Sequence, residues 1–144
     1  MTRKRCRRRV TIPMPPRGLR RKLDAAQVRD LGLTHAINLD AIARGTADAD
    51  TMWQWAGGVL TWARAAELLG VGEAEMCRQV VIARELVSRY KRIGKVGFSG
   101  LDYQFTKEGL QIMDQLIELV DLPTATIASE WAEIETNRLK ECGV

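Results

Sequence analysis

From Leu23 onward, apolar residues recur at spacings of three and four, and clean alternation is nearly absent. That period lines up side chains on one side of an α-helix, so the pattern predicts an all-α chain. Leu23, Val28 and Leu31 form the first apolar set. Asp24 with Gln27 three residues on carries the capping-box signature, and Gly32 is expected to end that helix. A second short helix is expected over 34–44, with Ala36, Ile37, Ala41 and Ile42 for burial and Gly45 as its stop. Asp48, Asp50 and Thr51 offer caps for a longer helix over 50–69. Its stripe is broad: Met52, Trp55, Ala56, Val59, Trp62, Ala63, Ala66 and Leu69. Gly57-Gly58 falls in the middle, where each glycine costs about 1 kcal/mol relative to alanine. The pair is therefore expected to admit a neighbouring helix closely, or else to kink or break this one.

Gly70-Val71-Gly72 reads as a turn, and a helix over 73–92 follows. Met76, Val80, Ala83, Val87 and Tyr90 make a narrow seam thickened by Val81, Ile82 and Leu86. Such a seam could pair between two copies as well as within one, so a homodimer is a candidate state. Three glycines in 93–100 predict a loop with a short extended piece at 95–98. A helix resumes by 101–106 and runs to 121, striped by Leu110, Met113, Leu116, Ile117 and Val120. Pro123 is expected to separate it from a last helix capped by Thr124, with Ile127, Trp131, Ile134 and Leu139 facing inward. Trp55 and Trp131 are expected as core anchors. The fold class is thus all-α: a compact bundle of five or six helices over 24–144.

Composition changes the picture only at the start of the chain. The protein has 144 residues, enough for one domain, and a net charge of +4. That net value hides a segregation. Arg3, Lys4, Arg5, Arg7, Arg8, Arg9, Arg17, Arg20, Arg21 and Lys22 give residues 1–23 a charge of +10 without one acid, and the remainder is −6. A block of like charge repels itself, so 1–23 is expected to be a flexible, basic arm. Its second half is a proline-containing strap, since Pro13, Pro15 and Pro16 remove backbone donors and favour the polyproline II conformation, with Met14 and Leu19 available to pin it. Such arms often contact nucleic acid, because each cation placed on a phosphate releases a condensed counterion. The alternatives are docking on acidic patches of the chain's own body, of another copy or of a partner, and a merely solvated tail. Arg89, Lys91, Arg92 and Lys95 form a secondary basic patch, equally readable as a charged helix C-terminus.

Sharper chemistry is hard to find. Cys6, Cys77 and Cys142 lack metal-ligand spacing, so no metal is expected; three scattered cysteines suit a reducing cytosol, with Cys77 buried or half-buried. His35 is the single histidine, without a nucleophile or an orienting carboxylate nearby in sequence, and is expected to be structural or superficial. The glycines of 93–100 match no phosphate-cradling motif, and no cofactor is expected. Glu130, Glu133 and Glu135 read as a solvated face. No catalytic residue is assigned, and the chain reads as non-enzymatic. The run Ala65-Ala66-Glu67-Leu68-Leu69-Gly70-Val71 looks like the first helix and turn of a helix-turn-helix, but the would-be recognition helix opens with Glu73 and Glu75, which phosphates repel. No apolar stretch is long enough to cross a membrane, and the basic start lacks the apolar core of a secretory signal, so a cytoplasmic location without membrane contact is expected.

The run Pro13-Met14-Pro15-Pro16-Arg17-Gly18-Leu19-Arg20, followed by a small helical domain, resembles uncharacterised small helical proteins of proteobacterial phages and other mobile elements. The resemblance implies a bacterial cytosol and an accessory role, and brings no known activity. Two functions remain. One is a small accessory or regulatory protein that contacts DNA or RNA through the arm. The other is a protein-binding adaptor or inhibitor, of the anti-defence kind, that meets a host protein through the acidic body.

Overall fold

The computed structural model describes residues 21–98 and 100–142. Their architecture is an all-α bundle of five helices: α1 (Ala25–Arg44), α2 (Ala49–Leu69), α3 (Glu73–Ile93), α4 (Asp102–Leu119) and α5 (Leu122–Glu141). The helix ends follow local chemistry. Asp24 accepts from the Gln27 backbone N–H at 2.8 Å while Gln27 reciprocates at 2.9 Å, so the expected capping box forms. Asp48 caps α2 through Thr51 N–H at 2.8 Å. Gly45, Gly70 and Gly94 close α1, α2 and α3 in the left-handed conformation that favours glycine.

α2 lies at the centre and packs against each of the other four helices; α1 and α4, and α3 and α4, complete the bundle. Trp55, Met52, Ala56, Val59 and Leu60 of α2 are fully buried, and Met76, Met113, Leu116 and Ile117 close on them from α3 and α4. The double glycine does not break α2. A Cβ on Gly57 would sit 3.5 Å from Thr136 Oγ1 of α5, and one on Gly58 would come within 2.8 Å of His35 Nδ1 of α1. The two glycines thus face two different neighbours. Thr61 Oγ1 donates to the Gly57 carbonyl at 2.8 Å.

Several local expectations are corrected. Residues 25–44 form one helix, not two, because Gly32 lies inside α1 and faces Asp114 of α4, 3.5 Å from where its Cβ would be. Packing there outweighs glycine's weak helix propensity. α5 starts at Leu122: Asp121, not Thr124, is its cap, accepting from Thr124 N–H at 2.8 Å, and Pro123 sits in the first turn where its missing N–H costs nothing. The α3 seam is rotated. Gln79 is buried and Val80 only half-buried, because Gly109 of α4 leaves a slot into which the Gln79 amide inserts, donating to the Phe105 carbonyl at 2.8 Å. Val81 and Ile134 point outward at 54% and 58% exposure, and Cys77 is exposed. Residues 95–98 form no strand.

Of the two expected anchors, Trp55 is buried at 1% exposure, whereas Trp131 is half-buried with the Arg64 guanidinium 5.7 Å from its ring centroid. Trp55→Ala should therefore cost about 3–5 kcal/mol in denaturant unfolding and Trp131→Ala clearly less. The glycine pair should split by sign. Gly57→Ala meets only ordinary contact and should stabilise by up to about 1 kcal/mol, while Gly58→Ala must displace a buried ring and should destabilise by about 1–2 kcal/mol. Equal effects at both positions would show that the two faces of α2 are not used as described.

Candidate nucleic-acid interface

Most of the arm (Arg3, Lys4, Arg5, Arg7, Arg8, Arg9, Arg17 and Arg20) lies outside the described residues. Its last two bases are placed. Lys22 pairs with Asp121 in an isolated antiparallel bridge, and Leu122 N–H donates to the Arg21 carbonyl. The Lys22 ammonium donates to the Leu119 carbonyl at 3.2 Å, at the C-terminus of α4. A cation there meets the negative end of the helix dipole. Arg21 and Lys22 thus belong with the body although they lie in the basic stretch, and Lys22 serves the α4–α5 corner.

The secondary patch divides. The Lys91 ammonium donates to the carbonyls of Leu139, of Lys140 at 3.3 Å and of Cys142 at 2.6 Å. Its three donors close the end of α5, so Lys91 is a latch between α3 and α5. Arg89 is half-buried and lines a small recess with Glu85 and Asp102. Arg92 and Lys95 are exposed. The structure therefore does not gather all four bases on one open face.

The turn joining α2 to α3 keeps part of the helix-turn-helix layout. Ala66 and Met76 are buried, but Val71 is exposed, and Glu73 and Glu75 stand exposed at the opening of α3. Among the described residues no group of three His, Cys, Asp or Glu is placed to hold a metal, and no helix is long and apolar enough to cross a membrane.

A feature with no single-residue signature lies beside the Lys22–Asp121 bridge. α1 and α5 both pack on α2 but not on each other, which leaves an open groove of about 560 Å³. Gly58, Thr61 and Trp62 form its floor; Leu23 and Leu31 wall one side, and Leu122 and Ala125 the other. Among the described residues the charged ones lining it are Asp30 and Glu130. Periodicity marked each wall as helical, but could not tell that the two walls stay apart.

His35 lies at the α1–α2 contact, stacked toward Trp55 at 6.4 Å between ring centroids. It is buried, and among the described residues its Nε2 has no hydrogen-bond partner. Burial disfavours the imidazolium and pushes its pKa from 6.5 down to about 4. No protein-family model, curated protein or solved structure matches the chain.

The shifted histidine predicts acid sensitivity. With a folded pKa below the unfolded one, the unfolded chain binds the proton first as pH falls. The stability that His35 contributes is full above about pH 6.5 and is lost by about pH 4, a decrease on the order of 3 kcal/mol. Urea unfolding at several pH values checks this, with His35→Gln as reference. The variant should lack the decline between about pH 6.5 and 5, and parallel curves would exclude His35 as its source.

Proposed function

We propose that this protein is a small, non-enzymatic accessory or regulatory protein that contacts nucleic acid through its basic N-terminal arm. One observation carries the reading: ten basic residues and no acid in 1–23, attached to a remainder of charge −6. Phosphates attract the first and are repelled by the second, so the contact is confined to the arm. The anchoring of Arg21 and Lys22 at the α4–α5 corner supports it, because the body then holds the root of the arm at a defined place. The burial of His35, the single histidine, at the α1–α2 contact supports the non-enzymatic part. Contacts of this kind position a protein on phosphate and carry little sequence information.

The second reading, an adaptor or inhibitor that binds a partner protein, is favoured by the acid-rimmed apolar groove. Salt dependence separates the two. With about six phosphates neutralised on duplex DNA, log K against log salt concentration should fall with a slope of about −5. Changing Arg7, Arg8 and Arg9 together to alanine should make that slope shallower by up to about 3 and weaken all sequences alike. Absence of binding to DNA and RNA even at low salt would overturn the first reading in favour of the second.

A further inference from the structure

Because α1 and α5 each pack on α2 and not on each other, the described bundle leaves one helix position unfilled. The open groove of about 560 Å³ occupies that position. Its α5 wall runs from Leu122 to Glu130, about 12 Å at 1.5 Å per residue. A helix laid along it presents positions i, i+3, i+4 and i+7 over nearly the same length. The floor and this wall carry short side chains: Gly58 and Thr61 on α2, Ala125 and Ser129 on α5. Helix axes lie about 8–10 Å apart, and small side chains at the contact bring them toward the lower value.

Shape and charge select the occupant. Small ligands are held in sites that cover about 70–90% of their surface. This groove is open to solvent and covers an occupant only from the side of α1, α2 and α5. That suits an amphipathic helix, whose other face stays in water. Leu31, 40% exposed, and the half-buried Leu23 and Leu122 leave apolar surface for its anchors to cover. Asp30 of α1 and Glu130 of α5 line the groove, and among the described residues no Lys, Arg or His does. Glu130 has no ion-pair partner among the described residues, and Asp30 meets Arg29 at 3.6 Å with both side chains 71% exposed. Such an exposed pair is weak and leaves the Asp30 carboxylate open to another cation. A basic occupant is therefore attracted and an acidic one repelled.

We infer that the groove between α1, α2 and α5 receives an amphipathic helix of a partner protein, with its apolar face on Leu23, Leu31 and Leu122 and basic residues beside that face meeting Asp30 and Glu130. The inference goes beyond the phosphate contact and stands without it. It rests on the groove that favours the second reading and supplies the chemistry of the partner.

Protection of a thiol in the groove tests this in the full-length chain. Cys6, Cys77 and Cys142 are replaced by serine, and Ser129→Cys places one thiol at an exposed position of the groove. The probe is a synthetic helical peptide of about 14 residues, with leucine at i, i+3, i+4 and i+7 and lysine on both flanks. It should slow alkylation of that thiol at a concentration at least about tenfold lower than the same peptide with glutamate in place of lysine. A peptide of the same composition with its leucines spread around the helix should not protect. Asp30→Lys combined with Glu130→Lys should reverse the order of the lysine and glutamate peptides; both positions are exposed, and far-UV circular dichroism checks that each variant keeps its helices. Alkylation already slow without peptide would show that the chain fills its own groove. Protection that rises with protein concentration alone would show a second copy there. Either result, no protection by the lysine peptide, or an unchanged order after charge reversal would overturn the inference. The arm's grip on duplex DNA is read separately by its salt slope, so the failure of one proposal is distinguishable from the failure of the other.

Discussion

The structure turns on how closely two helices approach the middle of α2. At Gly57 and Gly58 the absence of side chains lets α5 come near on one face and the His35 ring of α1 lie against the other. Glycine at mid-helix costs about 1 kcal/mol per position. Burial of Trp55, Val59 and Leu60 around these points offsets that, since each large side chain removed from water contributes about 1.5–3 kcal/mol. A β-carbon at Gly57 would fit, whereas one at Gly58 would not. The constraint is therefore sharper on the α1 side than on the α5 side.

The groove follows from the same arrangement. Both α1 and α5 use α2 as their support, and each is held by contacts on its own face of it. His35 fixes α1 at Gly58, and Thr136, with the stacking of Arg64 on Trp131, fixes α5. Among the described residues the two helices do not pack on each other, and Gly58 leaves the floor between them low. The exposed root of a basic arm and an apolar trough lined by two acids arise side by side because one corner, Lys22 with Asp121 and Leu119, closes both.

Much of the helical layout was legible from period and caps, because caps are local. Asp24 with Gln27, Asp48 with Thr51, and the stops at Gly45, Gly70 and Gly94 are decided within a few residues. Two of the misses are nonlocal. Gly32 reads as a stop until Asp114 of α4 is known to lie against it. Gln79 reads as a surface residue until Gly109, thirty positions on, provides its slot. The α5 cap is a local miss by contrast: Asp121 accepts from Thr124 N–H only three residues on, and Pro123 between them drew the expected start one step too far along. For the candidate site, the charge of the arm was visible in composition. The engagement of Lys22 and Lys91 was not, since each reaches carbonyls at the end of a distant helix.

Those two lysines also bear on how the arm can work. Each sits at a helix C-terminus, where backbone carbonyls and the dipole hold an ammonium in place. Bases used in this way neutralise the bundle's own negative ends and are less available to phosphate. The body is left with a net charge of −6 beside an arm of +10. Acidic side chains of the body and phosphates of a nucleic acid are then rivals for the same guanidinium groups. Salt screens both attractions, over about 10 Å at 0.1 M. On the proposed reading, raising the salt would weaken the arm's attraction to phosphate and the attraction of the acidic body for the same bases together. The two effects oppose each other in the measured affinity. On the proposed reading the body's acidity thus does more than exclude phosphate: it would soften the salt dependence of an arm that, carried on a neutral body, would respond more steeply.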